Sequence, residues 1–386
     1  MFQVLWRIPV VTSYTPDGIP IYGFGMMLFL AFLLCTWLAG RRAEREGIRK
    51  ETVQDLAIWV FIGGLLGARI TYLLNENPRP SLVEFVRKLP LIWEGGIVLY
   101  GSILGGVASY FLAYALVYRK QGLHTRRLLD AIAPAIALGL CLGRMGCFLN
   151  GCCFGQVACA DCAAVTPVGF PMCAPARDVL VEAGAQTAAG FTVSAGAPGL
   201  RDGVRVDEVD PESPAYAAGL RPGSIVTGVN GEAVQTRGDL DRLLGNLGFW
   251  RPRGARDLTL EFRPTPADEP VTVTIQPRTL GLYPTQLYEV VSMLLLMLVL
   301  LAYYPFRHNP GQVCAVLMVG YGVHRFLNEI LRDDPRPVGL ESYGSVFLVA
   351  TGLMLWLWLW RKQPDPPALT PAAPAATAAA SAPSPA

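Results

Sequence analysis

The sequence predicts an all-α polytopic membrane protein of about seven transmembrane helices, with an extracytoplasmic, mainly-β domain inserted between helices four and five. Three observations carry this expectation. Of 386 residues, 52% are hydrophobic and only 16% are charged, against about 25% charged in a soluble domain. Several apolar runs reach the roughly 20 residues that a helix needs to cross the hydrocarbon. After the fourth run the texture changes to short alternating strands separated by Gly, Pro and Asn turns.

The apolar runs fall at about 20–40, 53–74, 97–118, 129–149, 284–304, 312–331 and 342–360. The first is long and lacks a basic segment before it, so it reads as a retained membrane helix and not as a cleavable signal peptide. Loop charge sets the expected orientation. "RRAEREGIRK" after the first helix and "YRKQGLHTRR" after the third are rich in Lys and Arg, with milder versions in "FRHNPG" and "WRKQ". The loop 75–95 balances its bases with Glu76, Glu84 and Glu94. These loops predict a membrane protein with its N-terminus and residues about 151–283 outside and its C-terminus in the cytosol. A net charge of +2 gives no reason to expect nucleic acid as a partner. The stretch 363–386, nearly all Pro, Ala and Ser, has no core to bury and reads as a disordered tail.

Within the insert, "GVRVDEVDPESPAYAAGLRPGSIVTGVNGEAV" alternates like a strand at 204–209 and then opens a short helix at Ser213. Gly219 sits where a helix C-cap calls for a left-handed residue. Turns at "RPG" and "NG" flank a strand at Ile225–Val229. An amphipathic helix, "GDLDRLLGNL", and two closing strands, "LTLEF" and "VTVTI", complete the unit. This order resembles a PDZ domain over 200–278. PDZ domains take peptides as an added strand at a sheet edge, so a peptide ligand and a mere spacer role are both open. The preceding segment, 157–199, is a cysteine-containing loop. Cys152, Cys153, Cys159, Cys162 and Cys173 on an outer face are expected to pair as disulfides. The Cys159/Cys162 spacing also fits a redox CxxC or half of a zinc site. His124 and His308 fall on the expected cytosolic side and His324 inside a helix, so histidine ligands are scarce and no metal is expected.

Ionisable groups inside membrane helices are costly, and each is therefore a candidate for function. "LGRMGCFLNGCCFG" places Arg144, Asn150 and three cysteines at the outer end of the fourth helix. Arg325, Glu329 and Arg332 recur at i, i+4 and i+7, on one face of the sixth. Gln286, Tyr288 and Glu289 stand at the outer end of the fifth, Tyr22 on the first, and Glu94 and Tyr100 on the third. Glu329 can neutralise one arginine, and an ion-pair ladder that only locks helices accounts for the sixth-helix face as well as a site does. Arg144, on another helix, adds positive charge beyond what such a ladder needs. A lipid phosphate matches the planar fork of arginine.

The segments "IYGFGMM", "GARITYLL", "WEGGIVLYGSILGG", "GRMGCFLNGCCFG", "YPTQLYE" and "YGVHRFLNEILRDD" together resemble the bacterial prolipoprotein diacylglyceryl transferases. The resemblance covers about 1–156 and 283–362, within a membrane core of 1–156 and 279–362, in the family's order, with the PDZ-like unit as an insertion. It implies transfer of the diacylglyceryl group of phosphatidylglycerol to the lipobox cysteine of prolipoproteins, with no cofactor. It implies Arg144 and Arg325 as essential arginines, and Tyr22, Asn150 and Gly155 as substrate-binding positions alongside Glu329, Arg332, Gln286 and Tyr288. The chain departs from the family at four places. Tyr100 and Tyr283 stand where many members carry histidine, and Cys147 and Cys152 replace an Asn and a Glu. Without those histidines, Tyr100, or Glu329 through a water, is left to relay the thiol proton.

Two other classes compete on the same residues. A membrane thiol oxidoreductase would use the cysteines but gives Arg144, Arg325 and "YPTQLYE" no task. A lipid-binding scaffold would need the PDZ-like unit and no chemistry. An intramembrane metalloprotease is excluded because the chain has no H-E-x-x-H.

Overall fold

A computed structural model describes residues 3–10, 18–76, 81–90, 98–158, 167–194, 203–245, 256–332 and 340–363. Cys159, Cys162, Glu94 and the tail beyond 363 lie outside the described residues. The chain divides into two compact units: 1–32 with 137–296 and 319–350, and 33–136 with 297–318 and 351–386.

An N-terminal hairpin, β1 (Val4–Ile8) and β2 (Ile19–Tyr22), leads directly into α1 (Gly23–Arg45). Tyr22 is therefore the last residue of a strand and not part of the first helix. α2 (Lys50–Glu76), the short α3 (Leu82–Lys88), α4 (Leu99–Ala113, continued by a π-turn at Tyr114–Tyr118) and α5 (Thr125–Asn150) follow. After the insert come α9 (Thr285–Tyr303), α10 (Gln312–Leu331) and α11 (Leu340–Trp360). Among the described residues, six helical segments are long and apolar enough to span a membrane: 23–45, 50–76, 100–118, 125–150, 285–306 and 343–360. They make this a polytopic membrane protein. The seventh expected span, α10, is a 20-residue helix that falls outside this set, and its second half holds His324, Arg325, Asn328 and Glu329. Exposed Phe29, Trp37, Phe61, Leu104, Leu295 and Phe347 line the outsides of these helices, as a hydrocarbon solvent requires.

In the second unit, α2 and α4 meet through glycine. Gly63 and Gly67 on α2 face Gly101 and Gly105 on α4, each pair four residues apart. A Cβ on Gly67 would stand 2.8 Å from Gly105 Cα, and one on Gly63 2.8 Å from Gly105 O. Small residues at this spacing let membrane helices close to backbone contact. The Ser109 hydroxyl adds a bond to Trp59 O at 2.7 Å.

The same unit holds a closed group of charges. Arg307 pairs with Glu46 at 2.6 Å and Asp130 at 3.3 Å. Tyr304 donates to Glu46 at 2.8 Å, and Arg42 stacks on the Tyr304 ring, 3.7 Å from its centroid. Asp130, fully buried, also accepts from Gly311 N at 2.8 Å and Cys314 N at 2.9 Å. It thereby caps the free amides at the start of α10.

In the first unit, the insert is an antiparallel sheet in the order β3 (Phe191–Val193), β4 (Val204–Val209), β5 (Ile225–Val229), β7 (Leu258–Arg263), β8 (Val271–Ile275), with β6 (Glu232–Ala233) hairpinned on β5. Three helices accompany it: α6 (Pro175–Glu182), α7 (Pro214–Ala217) and α8 (Arg237–Gly245). The turn chemistry follows the sequence. Ser213 caps α7 by accepting from Tyr216 N at 3.2 Å, and Gly219 has φ +95°. Asn230-Gly231, both at positive φ, turn β5 into β6. The sheet reaches back beyond residue 200. β3 is its edge strand, and Met172, Ala189 and Phe191 belong to its core. The buried Arg177 ties α6 to this unit by donating to the carbonyls of Ala188, at 3.2 Å, and Leu244. Of the cysteines expected in disulfides, the described ones, Cys152, Cys153 and Cys173, are free thiols. Cys173 is buried, which pushes its thiol up from the ordinary value.

Candidate active site

The site grows from the end of α5. Gly151, at φ +75°, takes the left-handed conformation that ends a helix, and its N–H and that of Cys152 both return to Cys147 O, at 2.9 and 3.2 Å. The chain folds back over the helix end, and Cys153 is itself left-handed at φ +59°. Non-glycine residues hold that conformation only where their surroundings fix it. Here α9 does so: Gln286 Nε2 donates to Cys152 O at 2.7 Å and Thr285 Oγ1 to Cys153 O at 3.0 Å.

Residues 155–158 then run beside 281–283. Gly155 N donates to Tyr283 O at 3.0 Å, Tyr283 N to Gln156 O at 3.1 Å and Ala158 N to Gly281 O at 2.8 Å. Gly155 also bridges to Arg332 at the end of α10. A Cβ there would meet Thr285 Cγ2 at 2.7 Å and Tyr283 O at 2.8 Å, so close approach demands glycine. On the other side, Leu282 pairs with Val168. The chain thus enters and leaves the insert along adjacent paths, and Gln186 Oε1 accepts from Leu280 N at 2.9 Å.

One turn into α9, Glu289 is buried at 3% exposure. Arg144 Nε lies 2.5 Å from Glu289 Oε2, Asn328 Nδ2 donates to Oε1, and His324 Nε2 is 3.7 Å from Oε2. His324 Nδ1 meets Ser292 Oγ at 3.0 Å. The Ser292 hydroxyl also lies 2.8 Å from Tyr288 O and 3.1 Å from Glu289 O. Three helices, α5, α9 and α10, therefore converge on one carboxylate. Arg144 approaches Glu289 most closely through Nε, its side chain is 19% exposed, and its Nη groups meet no other residue among the described ones. Arg325 pairs with Glu329 one turn on, at 3.2 Å.

The sequence-derived positions divide into three sets. Arg144, Gly155, Arg325, Glu329 and Arg332 lie on the elements that converge here, and Tyr288 is half-buried on α9. Asn150 accepts from Gln3 Nε2 at 3.3 Å, and Tyr22 is 37% exposed at the mouth of α1. Gln286 is fully buried, and its Nε2 donates to Cys152 O, so it helps hold the signature turn. Tyr100 belongs to the other unit, where it is 62% exposed at the start of α4. The structure adds Asn328, His324 and Ser292, whose meeting with Glu289 depends on packing between helices more than 30 residues apart in sequence.

Six helices long and apolar enough to cross a membrane, with a buried Arg144–Glu289 pair where α5, α9 and α10 meet, define a polytopic membrane protein that holds charge between its helices. A family profile described as prolipoprotein diacylglyceryl transferase matches residues 9–358. The chain belongs to that family. The phosphatidylglycerol–prolipoprotein diacylglyceryl transferase of Rhodopirellula baltica is 28% identical over 89% of this chain and 73% of its own length. The transferases of Clostridium tetani and Vibrio vulnificus are 32% and 37% identical over 36% and 42% of this chain, spanning 53% and 59% of their own lengths. A crystal structure of the HtrA3 PDZ domain bound to a phage-derived ligand aligns with 24% of this chain at 21% identity and a TM-score of 0.19.

Proposed function

We propose that this protein transfers the diacylglyceryl group of phosphatidylglycerol to the lipobox cysteine of prolipoproteins, at the outer face of a bacterial inner membrane. The observation that carries the reading is the free fork of Arg144. Held by Glu289 through Nε, the guanidinium is oriented before any ligand arrives, and its remaining N–H groups match two oxygens of one phosphate. The substrate thiol gives up its proton, and its sulfur bonds to the glyceryl carbon that carries the phosphate ester. The carbon–oxygen bond breaks, and glycerol phosphate leaves with the bonding pair. Charge grows on that leaving oxygen, where arginines act most strongly in a dry site. Arg144 and Arg325 bind the phosphate and stabilise this charge. Arg332, Glu329, Asn150, Gly155, Tyr22 and Tyr288 bound the substrate. Glu329, through a water, relays the thiol proton. No cofactor enters the scheme.

The proposed topology has seven spans, α10 being the polar one, with the N-terminus and insert outside and the C-terminus inside. The insert is proposed as a PDZ-like unit that receives a peptide of the emerging prolipoprotein. Complementation of a cell depleted of its own transferase, read by mass spectrometry of a model lipoprotein, tests the reading. The diacylglyceryl mass should appear with the intact chain and vanish with Arg144→Ala. A lipid-binding scaffold would rescue neither.

A further inference from the structure

The transferase reading gives no task to the thiols that crowd the end of α5. Cys147, Cys152 and Cys153 bring their three sulfurs within 4.8 Å of one another. Their sequence spacing alone would not do this. Cys147 lies in the last turn of the helix, and it is the left-handed turn at Gly151 and Cys153 that carries the next two cysteines back over it. Thr285 and the buried Gln286 hold that turn from α9. A backbone conformation that disfavours a side chain is thus retained at the residue that completes the cluster.

We propose that Cys147, Cys152 and Cys153 form a three-thiolate site for a thiophilic d10 cation, of the Zn2+ and Cu+ class, at the outer end of α5. Metal–sulfur bonds of about 2.3 Å put ligating sulfurs roughly 3.8–4.0 Å apart in tetrahedral or trigonal geometry. The present separations reach this by small side-chain rotations, without moving the backbone. Soft thiolates select such ions over Mg2+ or Ca2+. Each ligating thiol releases its proton on binding. The cluster stands one turn from Arg144, so an ion here would sit beside the phosphate-binding arginine while leaving its fork free.

The test uses the full-length protein in detergent, with Cys159→Ser and Cys162→Ser removing the other neighbouring thiols. It is titrated under reducing, anaerobic conditions with Zn2+ and separately with Cu+ against a competing chelator. One equivalent should bind, with a thiolate-to-metal charge-transfer band, and Cys153→Ser should weaken binding at least tenfold. Because that variant can lose its fold, the unsubstituted chain supplies a second reading. One equivalent of metal should protect Cys147, Cys152 and Cys153 alike from maleimide, as located by peptide mapping. Metal uptake no greater than in the Cys147→Ser, Cys152→Ser, Cys153→Ser variant would overturn the proposal. So would continued alkylation of any of the three, or a disulfide between two of them in protein purified without reductant. Each of these readouts is independent of lipid transfer.

Discussion

The two buried groups of charge use the same residue types to opposite ends. In the second unit, Arg307 joins Glu46 to Asp130, Arg42 stacks on Tyr304, and every oxygen of the two carboxylates has a donor. In the first unit, Arg144 approaches Glu289 most closely through Nε, and its Nη groups meet no other residue among the described ones. A group of charges that closes on itself fixes helices. One that is left open by a single guanidinium has room for an anion.

The comparison breaks first at Arg144. Arg144→Ala should lower turnover by at least about a hundredfold, roughly 3 kcal/mol of lost charge stabilisation. The change also strips the buried Glu289 of its arginine, so the amount of folded protein in the membrane should fall as well, and the rate is taken per folded molecule. Arg144→Lys should recover little, since an ammonium lacks the bidentate fork. Turnover per folded molecule, measured on a lipobox peptide, decides this, and wild-type rates from either variant would remove Arg144 from the chemistry.

The opposite signature belongs to the closed group. Asp130→Ala leaves Arg307 and the first amides of α10 without their acceptor, and breaking a buried pair costs about 3–5 kcal/mol. Thermal unfolding in detergent should show a large loss of stability. The molecules that remain folded should turn over near the wild-type rate. A selective loss of rate at full stability would erase the distinction between the two groups.

A third change spares both groups. Gln186 and Leu280 are hydrogen-bonded to each other, so replacing 188–278 with a short Gly/Ser linker bridges points already adjacent. Domains with neighbouring ends can be removed without breaking the host. Transfer to a short lipobox peptide should persist, while transfer to full-length prolipoproteins should fall several-fold as tethering is lost. Equal rates on every full-length substrate would leave the insert as a spacer.

The smallest effect is confined to α8. Thr236 and Asp239 form a reciprocal cap: the carboxylate accepts from Thr236 N at 2.9 Å and Thr236 Oγ1 at 2.8 Å, while Asp239 N donates to Thr236 Oγ1 at 3.2 Å. Bonding from Thr236 holds the Asp239 carboxyl below its usual range. A carboxyl whose folded value is depressed adds stability above its unfolded value and loses it as pH falls through the folded one. Asp239→Asn should therefore destabilise the insert slightly at neutral pH. Hydrogen exchange of α8 should show the difference shrinking in acid, and a constant difference would remove the carboxylate's charge as the cause.

Much of this was legible before any coordinates. Apolar runs announce helices because hydrocarbon tolerates little else. Ser213, Gly219 and Asn230-Gly231 announce turns because few residues meet their backbone demands. Arg144 and Arg325 stood out because charge is rare in such company. What escaped depends on contacts between distant segments. Glu289 meets Asn328 and His324 only once α9 packs on α10, and Arg177 finds Leu244 only across the insert. Cys152 and Cys153 read as disulfide material because the fold-back that carries them over Cys147 is a matter of backbone dihedrals at Gly151 and Cys153, to which a list of cysteine spacings is blind. The hairpin of β1 with β2 was hidden inside an apolar run whose first residues read equally well as helix.

The glycine seam between α2 and α4 bears on how this sequence can drift. Most tightly packed contacts can be renegotiated: one side chain grows, and its neighbour shrinks to make room. At Gly63, Gly67, Gly101 and Gly105 no such exchange exists: the side chains of Ser109 and Thr71 crowd Gly63 and Gly101 as well, but at each of the four a main-chain oxygen of a facing glycine stands within 2.8 Å of where a Cβ would go. A substitution at any of the four cannot be repaired by a second one across the seam. Descendants of this chain should therefore vary freely on the lipid-facing sides of α2 and α4 while these four positions stay locked together.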